Sequence, residues 1–219
     1  MNLPKLKDQK LFHLAFTHRS YLNETKQKTS SNERLEFLGD SILSFVVSQY
    51  LFTTYPDFDE GTLTNLRSSL VNTKTLSEVA KELELGSLLR LSKGEEESKG
   101  RENSTLLENC FEAFVGALYL DQGIEKVSKF LNDVLLIKTA DFVQKRAFKD
   151  PKSLLQEKIQ AQKQGAPVYK VLLEIGPAHA RSFKVGAYIG GKLLGIGVGR
   201  SKQEAEERAA KSALERTLK

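Results

Sequence analysis

Apolar residues recur every three or four positions through residues 1 to 146, and no period-two run interrupts them, so this stretch reads as all-helical. The spacing predicts helices over 32–52, 62–70, 75–84 and 106–120, with another near 124–145. Two segments break the pattern. Residues 55–61, Tyr-Pro-Asp-Phe-Asp-Glu-Gly, form a turn, and residues 92–101, charged and Gly-flanked, read as an exposed, mobile loop.

Beyond Lys149 the pattern changes. Asp150-Pro151 opens a helix running to about Gln164, because Asp can cap it and Pro is tolerated at its first position, and Gly165 and Pro167 stop it. Three strands follow, 168–175, 183–189 and 192–199, the last two joined at Gly190-Gly191, where glycine supplies the positive φ of a tight hairpin. Ser201-Lys202-Gln203-Glu204 has the form of a capping box ahead of an Ala-rich amphipathic helix to about Leu218. The chain therefore divides into an all-α domain, residues 1–147, and a small α+β domain of α-β-β-β-α order, residues 148–219.

Charge sharpens this division. Residues 1–149 carry 20 Lys and Arg against 21 Asp and Glu, whereas residues 150–219 carry 13 against 7, so the net +5 of the chain resides in its last third. A basic module behind a neutral, carboxylate-bearing body suggests polyanion binding attached to a catalytic unit, although a solvated basic surface would look the same. No apolar stretch approaches the ~18 residues of a membrane span, which predicts a protein without membrane contact. The first residues lack a secretory pattern and Cys110 is the lone cysteine, so the chain reads as cytoplasmic. With only His13, His18 and His179 beside that cysteine, a zinc cluster and a Cys-His catalytic pair are poorly supplied with ligands. Any metal here must be bound by oxygen.

The richest segment is Asn32-Glu33-Arg34-Leu35-Glu36-Phe37-Leu38-Gly39-Asp40-Ser41-Ile42-Leu43. At about 100° per residue, Glu33, Glu36 and Asp40 fall within roughly 60° of one another, on one helix face. Such a stripe is ordinarily solvated. Here the helix continues as Ile42-Leu43-Ser44-Phe45-Val46-Val47, apolar nearly all round, which points to burial, and a carboxylate withdrawn from water is costly unless a positive charge compensates it. A second apolar helix carries Asn109 and Glu112 at i and i+3, neighbours on one face. Packed antiparallel, two such helices could bring these oxygens to one point, and an oxygen-only cage suits Mg²⁺ or Mn²⁺ and phosphate chemistry.

Residues 32–40 resemble the signature of bacterial ribonuclease III, an endonuclease of double-stranded RNA. Leu14-Ala15-Phe16-Thr17-His18-Arg19-Ser20-Tyr21 upstream, and Phe111-Glu112-Ala113 through Gly116-Ala117-Leu118-Tyr119-Leu120-Asp121 downstream, resemble that family's other blocks in the same order, and the C-terminal third resembles a double-stranded RNA-binding domain. The resemblance implies an all-α endonuclease domain followed by that binding domain. It implies Mg²⁺-dependent hydrolysis, with Mn²⁺ able to substitute, leaving 5′-phosphate and 3′-hydroxyl ends, and a part in rRNA and mRNA processing. Position by position, Glu36, Asp40, Asn109 and Glu112 match metal positions, Asp40 and Glu112 also catalytic ones, and Glu33 an auxiliary acidic position. Asn109 departs from the family's usual Asp; its amide oxygen can still reach a metal, with weakened affinity. The resemblance also implies a homodimer in which Phe37 enters a partner cavity, a residue that would otherwise read as core. Asn109 keeps a second reading open, a non-cleaving double-stranded RNA-binding dimer with a weakened metal site. His18 reads as structural before catalytic, and Cys110 as a small buried hydrophobe.

Duplex RNA hides its base edges, so a protein must read shape, 2′-hydroxyls and phosphates. Three regions match the binding regions of the domain family. The start of the last helix, Arg200, Ser201 and Lys202, offers backbone N–H groups and positive charge to phosphates. Gln156 and Glu157 on the preceding helix could hydrogen-bond 2′-hydroxyls, and the loop containing His179 could enter a neighbouring minor groove. Gln203 replaces a lysine that is common in the family at that position.

Overall fold

Side-chain caps mark where most helices begin. Asp8 accepts from the Lys10 N–H ahead of α1 (Gln9–Ala15), and the His18 ring caps a 3₁₀ turn at Arg19–Asn23. After α2 (Glu33–Thr54), Asp59 caps α3 (Glu60–Leu70) and Asn72 caps α4 (Thr73–Glu82). Then come α5 (Leu85–Leu88), α6 (Lys93–Glu97) capped by Ser92, α7 (Ser104–Val134) capped by Asn103, and α8 (Thr139–Gln144). Each cap satisfies a first-turn N–H that has no carbonyl behind it. The computed structural model describes residues 3–25, 29–144, 151–162, 164–177 and 181–217, and its chain contacts divide it into two units, Met1–Phe148 and Lys149–Lys219.

In the first unit, α7 sits between α2 and α4, and Leu43, Val47 and Leu51 of α2, Phe111, Phe114 and Leu118 of α7, and Leu76, Val79 and Ala80 of α4 belong to one core. The α2–α7 contact is closest at two glycines. A Cβ on Gly39 would stand 1.8 Å from the Glu112 carbonyl oxygen, and one on Gly116 would stand 2.3 Å from the Leu35 carbonyl oxygen, so main chain rests on main chain. Past this crossing the helices run in the same direction: Ile42 and Phe45 share a cavity wall with Tyr119 and Ile124, and Val46 and Tyr50 share another with Ser128 and Asn132. The expected antiparallel packing is therefore corrected to parallel. Periodicity fixes which faces meet but carries no information about direction.

Three further expectations change. Segment 92–101 is folded into α6 and a 3₁₀ turn at Gly100–Glu102, because the Arg101 guanidinium donates to the carbonyls of Gly86, Ser87 and Leu89 and pairs with Glu96. The break expected between helices over 106–120 and 124–145 is present, since α7 is two helical segments across a kink at Gly123, whose φ of +79° suits glycine, but the second segment ends at Val134 and not near 145. The all-round apolar character of α2 is not all burial, since Phe37, Phe45 and Phe52 are 79%, 57% and 75% exposed. By length and composition α2 would pass as a membrane span, with a mean hydropathy of 1.2, and its buried face against α7 accounts for much of that apolar content.

The second unit runs α9 (Pro151–Ala161), β1 (Val168–Ile175), β2 (Ser182–Ile189), β3 (Lys192–Gly199) and α10 (Lys202–Thr217), an antiparallel sheet in the order β1-β2-β3. Both residues of the β2–β3 turn, Gly190 and Gly191, have positive φ, 54° and 82°. Leu155 and Ile159 of α9, Val185 and Ala187 of β2, and Ala205, Ala209 and Ala213 of α10 form the core. Gly195, Gly197 and Gly199 face those alanines so closely that any Cβ would meet helix backbone, which holds α10 flat against β3.

Candidate active site

The glycine crossing decides where the acids stand. Glu36 and Asp40 lie on α2 to either side of Leu38 and Gly39, and Glu112 lies on α7 with its carbonyl against Gly39. Glu112 is only 9% exposed and accepts no hydrogen bond among the described residues. Burial first, then the charges of Asp40, Glu108 and Glu36, push its carboxyl up to about 8. Glu36, half-buried, is also raised, by burial first and then by Glu33, Glu108 and Asp40, with Arg19 opposing. Asp40 is exposed at the rim. Carboxylates thus crowd Glu112, which has no hydrogen-bond partner among the described residues, so ionising it costs free energy unless a positive charge compensates it.

Glu33 stands at the edge of this cluster. It pairs with Arg19 at 3.8 Å and accepts from the Ser31 hydroxyl at 2.7 Å, which ties the first sequence block to the start of α2. Asn32 completes the link: its side-chain amide donates to the Ala15 carbonyl and its backbone N–H to the Thr17 carbonyl. His18 shares a 2.9 Å hydrogen bond with the Ser20 hydroxyl, and burial lowers its pKa, so it remains neutral near neutral pH while shaping the turn. Cys110 is fully buried, and burial raises its thiol pKa far above the physiological range. Asn109 is half-buried one residue away from it. Sequence reasoning missed Glu108, although its position four residues before Glu112 was a legible sign that both share a face.

The donor set fits a hard divalent cation: the cluster offers oxygens alone, and its unpartnered buried carboxylate lacks a counter-charge. Among the described residues, however, no three Asp, Glu, His or Cys side chains stand close enough together to hold a metal ion. Leu38, Ser41, Ile42, Phe45, Tyr119, Leu120, Gly123 and Ile124 of α2 and α7 line an open apolar cavity of about 730 Å³.

In the second unit Arg200, Ser201 and Lys202 are exposed at the start of α10, as the sequence implies. The backbone donors there are fewer than expected. The Arg200 N–H already donates to the Glu204 carboxylate at 2.7 Å and the Glu204 N–H to the Ser201 hydroxyl at 3.1 Å, leaving the N–H groups of Lys202 and Gln203 without an intrahelical acceptor. Lys202 Nζ lies 5.7 Å from the centre of the Phe183 ring. Gln156 and Glu157 are exposed on α9, away from buried Leu155 and Ile159. His179 lies outside the described residues.

Residues 8–139 match the family described as Ribonuclease-III-like, and residues 151–216 match the double-stranded RNA binding motif. The fold and these two matches therefore define a helical nuclease domain followed by a double-stranded RNA-binding domain. The chain is 46% identical to ribonuclease 3 of Bacillus licheniformis over 98% of its length and 86% of that protein, and 46% identical to ribonuclease 3 of Lactococcus lactis subsp. cremoris over 94% and 90%. Among solved structures it resembles the nuclease domain of ribonuclease III from Campylobacter jejuni (TM-score 0.56, 38% identity, 59% of this chain and 87% of that one) and Dicer from Pichia stipitis (TM-score 0.51, 29% identity, 98% and 97%). The chain belongs to the ribonuclease III family of double-stranded RNA endoribonucleases.

Proposed function

We propose that the protein cuts double-stranded RNA by divalent-cation-dependent phosphodiester hydrolysis at the Glu36, Asp40 and Glu112 cluster, as a homodimer. The observation that carries this reading is the buried, unpartnered Glu112 carboxylate facing Asp40 and Glu36 at the glycine crossing. Glu36, Asp40 and Glu112 would hold Mg²⁺, or Mn²⁺ in its place, with the Asn109 amide oxygen as a neutral fourth donor. Bound there, the ion supplies the charge that acidifies an attacking water and offsets negative charge building on the phosphate.

The chain's own groups do the rest. Glu112, with a pKa of about 8, holds a proton on its carboxyl for much of the time at neutral pH, and would release it to solvent in order to serve as a ligand. Glu33, held by Arg19, keeps further negative charge beside Glu36. Exposed Asp40 faces the solvent from which substrate arrives. Arg200, Ser201, Lys202, Gln156, Glu157 and His179 would grip the duplex, with no base reading required. Hydrolysis with departure of the 3′-oxygen leaves 5′-phosphate and 3′-hydroxyl ends.

Phe37, exposed on α2, and the open apolar cavity that Leu38, Ser41 and Tyr119 help to line supply the two halves, an aromatic side chain and an apolar receptor, that a two-fold dimer would bring together. Family membership supports a role in ribosomal and messenger RNA processing in the cytoplasm. Incubating a long RNA duplex with the protein in Mg²⁺ and in EDTA tests the reading: cleavage in Mg²⁺ alone, abolished in Asp40→Asn with duplex binding retained, is expected. Asn109 favours one rival, a binding dimer that does not cut, and binding without cleavage in both buffers would establish it.

A further inference from the structure

The part of α7 that walls the open cavity is tied to the first residues of the chain. From Tyr119 to Lys126 no residue is buried, although Leu118 before this stretch and Val127 after it belong to the core. Within it the helix breaks at Gly123, with φ and ψ of 79° and 179°, and a Cβ placed there would meet nothing within 4 Å. Packing therefore does little to fix the angle at the break. Hydrogen bonds fix it instead. Asp121 accepts from the backbone N–H groups of Lys7 at 2.7 Å and Asp8 at 3.0 Å, and the Gln122 amide donates to the Lys5 carbonyl and to Asp121, each at 2.8 Å. Residues 5–8 are themselves well seated, since Leu6 is buried in the core and Asp8 caps α1. The tied pair stands between the residues that line the cavity, Tyr119 and Leu120 on one side and Gly123 and Ile124 on the other.

We infer that residues 5–8 are a strap whose bonds to Asp121 and Gln122 set the angle of α7 at Gly123, and with it the width of the cavity that receives the partner's Phe37. This rests on the proposed dimer and deepens it. Asp121 is a positioning residue, acting through the wall that the ring meets. Its two backbone bonds are charge-assisted, hence about twice as strong as neutral ones, and both depend on one carboxylate, so its loss frees the strap at once. A cavity already held at its bound width spares association the cost of ordering it. The linkage is reciprocal: where the strap favours entry of the ring, entry of the ring tightens the strap by the same factor.

Two measurements on the full chain test this. Sedimentation equilibrium of Asp121→Ala, at a temperature where its helical spectrum matches the parent's, is expected to show a dimer dissociation constant raised about 5- to 150-fold, the ordinary range of coupling between linked sites. Asp121→Asn, which keeps one acceptor oxygen, should fall between the two. A constant for Asp121→Ala within about twofold of the parent's, well below that coupling range, overturns the inference. The second measurement leaves Asp121 in place. Amide hydrogen exchange at Lys7 and Asp8 is expected to be slower in the dimeric parent than in monomeric Phe37→Glu, by about the factor that Asp121→Ala costs in dimerisation. A strap that only supports the fold would exchange alike in both, and equal exchange overturns the inference. Phe37→Glu also separates the strap from the reading beneath it. If that variant remains a dimer, the proposed contact itself is wrong, whereas a monomeric Phe37→Glu beside an Asp121→Ala that dimerises as the parent does sinks the strap alone.

Discussion

Replacing Glu112 by glutamine is expected to stabilise the protein in EDTA at high pH while destroying its response to Mg²⁺. Its carboxyl titrates near 8 against an ordinary 4.5, and at ~1.4 kcal/mol per decade that gap sets a ceiling of about 5 kcal/mol on the cost of ionising it in the fold. Water reaching the cluster past exposed Asp40 screens these charges, which brings the figure to about 2 kcal/mol. The sign follows from proton binding. The folded chain holds this proton more tightly than the unfolded chain, so the associated stability is fully present below pH 4.5 and is lost as pH rises through 8. Thermal unfolding of parent and Glu112→Gln, followed by circular dichroism from pH 5.5 to 9 in EDTA, reads this directly. The variant is expected to melt about 4–8 °C above the parent at pH 9, with the gap shrinking toward pH 5.5. Mg²⁺ at pH 9 should lift the parent alone. A variant that melts below the parent at pH 9, or a gap that ignores pH, would refute the electrostatic account of this cluster.

Three other outcomes are expected. Gly39→Ala places a methyl inside the Glu112 carbonyl contact, so it should cost at least ~3 kcal/mol in urea unfolding and abolish cleavage. Phe37→Glu removes an apolar contact worth about 2 kcal/mol per protomer and adds a charge to it, so sedimentation should show a monomer with an unchanged helical spectrum. Lys202→Ala should weaken duplex binding equally across sequences and reduce the slope of log affinity against log salt by about one, with the melting curve unmoved.

The strands and long helices were legible because period and punctuation agreed: Gly190-Gly191 turns where glycine must, and Ser201 caps where a capping serine stands. The short α5 and α6 were not, since four or five residues hold barely one turn of periodicity, and what folds 92–101 is Arg101 reaching carbonyls twelve to fifteen residues away. Glu36, Asp40 and Glu112 could be named as candidates from sequence, but not the packing that sets their spacing. That depends on Gly39 and Gly116 letting two backbones touch, and on a parallel course that side-chain patterns do not encode. The exposure of Phe45 and Phe52 was hidden for a related reason, because an exposed apolar residue has the same composition as one bound for the core.

The contact at Gly39 and Gly116 also bears on how such a protein can change over generations. Where helices are spaced by side chains, each exchange of leucine for isoleucine or methionine nudges the separation, and any reagent mounted on them drifts with it. Here the spacer is peptide bond against peptide bond, whose thickness no ordinary substitution alters. Hydrophobic neighbours such as Leu43 or Leu118 are thereby free to vary while the interval between the acid-bearing turns of α2 and α7 stays fixed by covalent geometry.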